Sequence, residues 1–246
     1  MHGRNTRSLA GCYNSLAEPV TRCPLSGAVN VIALDGPVAS GKTVVGRELA
    51  RQLEFRYLDT GVMYRAIAWL ALRFATPLED EEGLGDLANR HPIRLSGPES
   101  DHVWVGKHQV GPELREARVE RHVSLIAKVP QVRRALVQQQ RTLAKEGKMV
   151  MAGRDIGTVV LPNADLKVFL SASPEQRARR RWEDLVGGGQ AIDYTRVLRE
   201  TKERDDIDSN RADSPLRPAE DALTVDTGQL TVDQVVKKIL ALTRQC

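Results

Sequence analysis

Short apolar runs alternate along this chain with longer stretches in which apolar residues return every three or four positions. Residues 29–34 read as a first strand, closed by Asp35-Gly36-Pro37. Val44, Val45, Leu49 and Leu53 then recur at helical spacing, predicting a helix over 42–53. A short second strand, 56–58, ends in Asp59-Thr60-Gly61, and a helix over 62–74 is apolar nearly all round, the signature of a helix buried on most sides. The pattern changes over 76–111. A weak helix near 84–88 is followed by candidate strands at 93–95 and 102–105, with Gly106-Lys107 separating the latter from Gln109-Val110; this predicts a small antiparallel insert. Helices resume at 113–129 and, after Pro130, at 131–145. Strands follow at 149–152 and 166–170. Ser173 is then placed to cap a helix that has Pro174 at its first position and ends at Gly187-Gly188-Gly189. A helix over 194–205 leads into 206–218, polar and without periodicity; a last strand at 222–225 and a helix capped by Thr231 close the chain. Alternating strands and helices predict an α/β fold, a parallel sheet with helices on both faces.

Composition narrows the classes. The 246 residues, 41% hydrophobic, suffice for one large α/β domain with a smaller appended part. Lys and Arg total 36 against 32 Asp and Glu, a net charge of +4 that is too small to argue for a nucleic-acid partner. Aromatics are only 4%, with no basic block interleaved with them, so nucleic-acid binding is not expected. The longest apolar run, 66–72, is far too short to span a membrane. Cys12, Cys23 and Cys246 form no C-x-x-C pair; they fit a reducing cytoplasm, with no disulfide or zinc framework. His91, His102, His108 and His122 have no partners at metal-ligand spacing. Residues 1–28 mix Arg, Ser, Asn, Gly and Pro without periodicity and are expected to be a disordered extension ahead of a domain spanning 29–246.

The candidate chemistry begins at the first strand's end. Gly36-Pro37-Val38-Ala39-Ser40-Gly41-Lys42-Thr43 is G-x-x-x-x-G-K-T between a strand and a helix, the context a phosphate-binding loop requires. Its glycines let the backbone turn N–H groups onto an anion, and the helix start adds its positive dipole end. The predicted nucleotide-binding residues are Gly36, Pro37, Val38, Ala39, Ser40, Gly41, Lys42, Thr43 and Val44. Lys42 would reach the β- and γ-phosphates of ATP and Thr43 would ligate magnesium. Asp35 would either cap the loop turn or hold magnesium through water. In sheets of this kind ligands bind where strands end, so the phosphate loop, Asp59-Thr60 and Gly153-Arg154-Asp155 should converge on one cleft.

Four motifs in order then carry a resemblance: the phosphate loop, Leu58-Asp59-Thr60-Gly61-Val62-Met63-Tyr64-Arg65, Gly153-Arg154-Asp155-Ile156-Gly157-Thr158-Val159-Val160, and Lys202-Glu203-Arg204-Asp205-Asp206-Ile207-Asp208-Ser209-Asn210-Arg211. Together they resemble bacterial cytidylate kinases, within the nucleoside-monophosphate kinases. The resemblance implies a core, a monophosphate-binding insert over 76–128 and a helical lid over 174–211. It also implies the reaction ATP + (d)CMP → ADP + (d)CDP. Carried over by motif, Arg65, Arg154 and Arg211 resemble contacts to the CMP phosphate, with Thr60 beside them in the substrate set. Arg204 and Asp208 resemble the group near sugar and phosphate, and Ser124, Arg133 and Asp155 the cytosine readers. Lys42, Arg154 and Arg204 form the expected catalytic set, and Arg177 and Arg181 the expected lid arginines. The implied partners are CMP and dCMP, acting on a cytoplasmic monomer.

Plainer readings stand beside these. Arg65 could face solvent, Arg154 and Asp155 could be a local ion pair, and Arg177–Arg181 could be a solvated helix face. Arg204 and Arg211 could be surface charges in an Asp-rich loop. The chain also departs from some relatives in having Thr directly after Lys42, and in Ile207 and Ser209 where arginines can stand. Rival functions are a uridylate, nucleoside or shikimate kinase, and a phosphate-loop switch protein.

Removal of residues 1–28 is expected to leave kcat and Tm unchanged in calorimetry and a coupled assay. A fall of several degrees would show that the segment packs on the domain, since about 2–4 °C corresponds to 1 kcal/mol at this size.

Overall fold

The computed structural model describes residues 29–97 and 102–243; the expected disordered extension lies outside them. In chain order the elements are β1 (Val31–Asp35), α1 (Lys42–Leu53), β2 (Arg56–Asp59), α2 (Thr60–Arg73), α3 (Glu81–Arg90), β3 (Ile93–Ser96), β4 (His102–Val105), β5 (His108–Val110) and, after a 3-10 turn at Pro112–Arg115, α4 (Ala117–Ile126). There follow α5 (Pro130–Ala144), β6 (Met149–Gly153), a π-helical turn at Ile156–Val160, β7 (Leu166–Ser171), α6 (Pro174–Gly187), α7 (Tyr194–Asn210), β8 (Leu223–Asp226) and α8 (Val232–Thr243).

Five strands form one parallel sheet in the order β2-β6-β1-β7-β8. Side chains alternate across it, as the pleat demands. Ile32, Leu34, Tyr57, Val150, Leu170 and Val225 pack on one face with Val45 and Leu49 of α1 and Val235, Val236 and Ile239 of α8. Ala33, Leu58, Met149 and Met151 face the other way, against α2, α3, α4 and α5. There α2 is buried on most sides, which is why its sequence is apolar nearly all round. The small antiparallel sheet, β3-β4-β5, tucks Val103, Val105 and Val110 into the same core. Gln139 of α5 pins it: its carbonyl accepts from the Ile93 amide at 3.1 Å and its amide donates to the Ala88 carbonyl at 3.3 Å. Among the described residues no helix is long and apolar enough to cross a membrane.

Two helices differ from expectation. The single helix read over 113–129 is a 3-10 turn and then α4, broken at Glu116, whose ψ is 143°. Leu114 and Val119 are both buried; five positions apart, they lie about 140° round a continuous helix, and the break turns both inward. Helix α7 runs on to Asn210, five residues past the expected end. Its inward face continues at helical spacing through Val197, Thr201, Arg204 and Asp208, but the last two are charged, so the hydrophobic period stops where the helix does not.

The register fixes what the sheet presents. Asp35 lies opposite Gly153 and Phe169, Asp59 opposite Ala152, and Ser171 opposite Asp226, so the carboxyl ends of all five strands share one edge. At the opposite edge Asp165 closes the sheet: one carboxylate oxygen accepts from the Asn30 and Val31 amides at 2.9 and 2.8 Å, while the Asn30 side chain accepts from the Lys148 amide at 2.8 Å. Asp165→Ala leaves two strand-end donors without their acceptor. It is expected to lower Tm by about 3–6 °C in calorimetry while leaving ligand binding at the far edge unchanged. An unaltered Tm would show that water replaces the carboxylate at no cost.

Candidate active site

The phosphate loop connects β1 to α1 and depends on backbone shape. Gly36 has φ +149°, and a Cβ there would collide with the Leu170 carbonyl oxygen; Gly41 caps α1 at φ +93°. Neither position accepts a larger residue without moving the loop. Lys42 turns back over it, its Nζ donating to the Gly36 and Pro37 carbonyls at 2.7 and 2.6 Å and reaching Ser40 Oγ at 3.4 Å. Burial, then the charge of Arg154, pushes the Lys42 ammonium well below its usual pKa, with Asp59, Asp35 and Asp208 pulling the other way. A cation parked on carbonyls at the mouth of a ring of amides is ready to exchange them for phosphate oxygens.

Asp35 caps the π-helical turn rather than the phosphate loop. Its two oxygens accept from the Ile156 and Gly157 amides at 2.8 and 2.7 Å. Burial raises its pKa to about 6 despite those two bonds. This contact locks the end of β1 to the segment that follows Gly153-Arg154-Asp155.

Of the residues expected to bind the acceptor, Thr60, Ser124, Arg133, Arg154, Asp155, Arg204, Asp208 and Arg211 line one cleft together with Tyr64, while Arg65 is not in its lining. The structure thus brings together residues from α2, α4, α5, the end of β6 and α7. Asp155 is buried between two arginines: Arg133 donates to it, and Arg211 Nη2 lies 3.6 Å from its other oxygen. Arg133 also donates to Tyr64 Oη and the Ala127 carbonyl, both at 3.3 Å, and its Nε faces Asp213 at 3.6 Å. Arg154 pairs not with Asp155 beside it but with Asp208 on α7, Nε to Oδ2 at 2.8 Å. Burial pushes the Asp208 carboxyl up, but the charge and hydrogen bond of Arg154, then Arg204 and Arg211, more than offset this and hold it below the usual carboxylate range.

Arg65 does not face bulk solvent; its side chain is 11% exposed. It pairs with Asp59, the residue that caps its own helix, at 3.1 Å, and lies 3.7 Å from Glu120. Arg204 lies 3.5 Å from the other oxygen of Glu120. Burial and the charge of Arg154 depress the pKa of Arg204. Arg65 Nε, Arg204 Nε and Arg211 Nη2 are buried with no hydrogen-bond acceptor among the described residues. The cleft is short of acceptors, which is the state of a site that expects an anion.

Arg177 is not on a solvated helix face. It is 3% exposed, forms a bidentate pair with Asp205 at 3.0 and 2.6 Å, and donates to the Ala172 carbonyl and to Val38 of the phosphate loop at 2.9 and 3.2 Å. It therefore ties α6, α7 and the phosphate loop together. Arg181, one turn on, is half-buried with no ion-pair partner among the described residues. At the tip, Gly189 has φ +83° and nothing within 4 Å of a built Cβ, and Trp182 donates to the Ile192 carbonyl at 2.9 Å. Sequence reasoning missed Glu120, Asp205 and Asp213. Glu120 carried one signal: it sits one helical turn before Ser124, on the same face.

Comparison with known proteins agrees with these motifs. A family model described as cytidylate kinase matches residues 32–245. A protein named cytidylate kinase from Listeria monocytogenes serotype 4a is 45% identical over 211 residues, 86% of this chain and 94% of its own. One of the same name from Pelotomaculum thermopropionicum is 47% identical over 212 residues, 85% of this chain and 94% of its own. The crystal structure of an uncharacterized protein from Eubacterium ventriosum shares the fold at 13% identity, with a TM-score of 0.50 over 88% of this chain and 99% of that one. With the family model spanning nearly the whole described domain, this chain belongs to the cytidylate kinase family.

Proposed function

We propose that this protein transfers the γ-phosphoryl group of ATP to the phosphate of CMP or dCMP, giving ADP and (d)CDP. The observation that carries the reading is a cleft lined by Arg154, Arg204 and Arg211, with Arg65 joined to it through Glu120 and Lys42 of the phosphate loop close enough to feel the charge of Arg154; Arg65, Arg204 and Arg211 each keep a buried donor without an acceptor among the described residues. Phosphoryl transfer between two nucleotides brings two polyanions together, and positioned cations offset their repulsion and the spread charge of the transition state. The loop backbone of residues 36–44 binds the donor phosphates. Lys42 leaves its own carbonyls to follow the moving phosphoryl group. Thr43, in the first turn of α1, would hold a magnesium ion, which would supply positive charge to offset that of the donor phosphates. Arg65, Arg154 and Arg211 hold the acceptor phosphate against Thr60. Arg204 and Asp208 orient the sugar and phosphate from α7, with Arg154 fixed by its bond to Asp208. Ser124, Arg133 and Asp155 read the base. Helices α6 and α7, within the lid region, exclude water and bring Arg181 toward the donor; Arg177 acts by holding α7 to the loop. Residues 76–128 form the monophosphate-side insert. The reading makes the protein a cytoplasmic monomer whose partners are nucleotides, not nucleic acids or membranes.

Two measurements test this reading. Lys42→Ala strips charge from the transferring group and is expected to lower kcat by about a hundredfold or more, with the circular dichroism spectrum unchanged. Near wild-type turnover would remove the phosphate loop from the mechanism. Asp155 is expected to set base choice, because its carboxylate accepts from the exocyclic amine of cytosine and opposes the carbonyl that uracil places there. Asp155→Asn supplies a donor instead, so the CMP/UMP ratio of kcat/KM should narrow by about tenfold, alongside a general loss from weakening the pairs to Arg133 and Arg211. Equal losses with both nucleotides would leave Asp155 as a support for those arginines alone.

A further inference from the structure

Glu120 has no place in the scheme above, yet it sits at its centre. Its two carboxylate oxygens lie 3.7 Å from Arg65 Nη1 and 3.5 Å from Arg204 Nη1, joining two arginines that arrive on different helices, α2 and α7. These contacts are as loose as those of Arg211 with Asp155 and Arg133 with Asp213, both 3.6 Å, and looser than two others nearby. Arg154 meets Asp208 at 2.8 Å and Arg177 meets Asp205 at 2.6 Å. Arg65 and Arg204 each also keep a buried Nε without an acceptor. Glu120 therefore spans both guanidinium groups while saturating neither.

We propose that Glu120 is an internal stand-in for the acceptor's phosphate: it holds Arg65 and Arg204 together in the free protein and is displaced when a nucleoside monophosphate binds. One carboxylate brings a single negative charge to two cations. A phosphomonoester brings about −1.5 to −2 and three strong acceptor oxygens, so the exchange favours the phosphate. Arg65 keeps its place when Glu120 leaves, since Asp59 still holds it at 3.1 Å. Arg204 is fixed by its position within α7. Glu120 also shares a face of α4 with Ser124, so its release frees the helix that carries a base-side residue of the same cleft. The opposed account is a strut, in which the bridge shapes the arginines for phosphate and its loss weakens binding. The two differ in sign.

This inference rests on the phosphoryl-acceptor reading of the cleft. The test is calorimetric titration of the full chain with CMP and with cytidine, which lacks the phosphate, for the wild type, Glu120→Gln and Glu120→Asp. Glu120→Gln keeps the shape and removes the competing charge. It should tighten CMP by about three- to tenfold and leave cytidine unchanged. The gain should shrink as salt is raised. Glu120→Asp, too short to reach both arginines, should shift CMP in the same direction by less. The free Glu120→Gln protein should also melt below the wild type, with the gap closing when CMP is saturating, because the bound phosphate replaces the missing carboxylate in both. Unchanged CMP binding by Glu120→Gln overturns the proposal, and weaker CMP binding with cytidine unaffected overturns it in favour of the strut. If the wild type binds another nucleoside monophosphate in place of CMP, the acceptor assignment fails, and the same comparison with that nucleotide and its nucleoside decides Glu120. Failure of every nucleoside monophosphate to bind overturns both.

Discussion

Like-charge repulsion in a half-buried space is the constraint on which this structure turns. Lys42, Arg65, Arg133, Arg154, Arg204 and Arg211 crowd one end of a parallel sheet, and leaving such cations unpaired out of water is costly. The fold answers with carboxylates from different elements. Asp59 sits beneath Arg65, Asp155 between Arg133 and Arg211, Asp208 against Arg154, and Glu120 across Arg65 and Arg204. The longer separations, 3.5–3.7 Å, fall on Arg65, Arg204 and Arg211, three of the arginines assigned to the acceptor, and on Arg133 where it faces Asp213. Partial satisfaction there is what lets an anion bind with a gain, because a fully satisfied ion pair has nothing left to offer it.

The sheet makes that crowding possible. Parallel strands end on one side, and their register puts Asp35 level with Gly153 and Asp59 level with Ala152 beside it. Asp35 then spends its carboxylate on the backbone of the π-helical turn, which sets Arg154 and Asp155 at the start of a segment that cannot slide along β1. Burial raises the Asp35 pKa to about 6, so a proton is held more tightly in the folded than in the unfolded state, and folding loses stability as pH rises from the ordinary carboxylate range through that value. That is a cost borne for placement of the site rather than a source of stability.

Much of this was legible beforehand, for reasons that differ by element. The bounds of α1 and β4 were recoverable because hydrophobic period and turn residues agree there. Ser173 as cap and Pro174 at the first helical position made the start of α6 equally plain, and the structure adds Gln176, which closes a capping box with Ser173. Glu116 was opaque: nothing in Glu113-to-Val129 says that Leu114 and Val119 must both turn inward, since that is a demand of the neighbouring core. The end of α7 was opaque for the opposite reason. Its last two turns bury Asp208 and line the cleft with Arg204, so the helix is held by ion pairs from other elements and carries no apolar stripe to announce itself. The cleft residues could be named from motifs, but their pairing could not. Arg154 and Asp155 are adjacent in sequence, yet they face different partners, because side chains at a strand's end leave on opposite sides.

Arg177 shows how the two halves of the site are joined. Charge pattern alone made it a twin of Arg181, four residues on. Packing separates them: one is buried with four polar contacts to keep, the other is half-exposed and without an ion-pair partner among the described residues. Through Arg177 the Val38 carbonyl of the phosphate loop and the Asp205 carboxylate of α7 share one planar guanidinium, whose fork fixes direction as well as distance. Asp205 is the immediate neighbour of Arg204 and lies three residues before Asp208. Any movement of α7 that carries Arg204 and Asp208 must therefore stretch this pair or take α6 and the loop with it. On the proposed reading, a donor phosphate that orders the loop would thereby act on the helix proposed to orient the acceptor, and the coupling would need only a rigid helix and one buried ion pair.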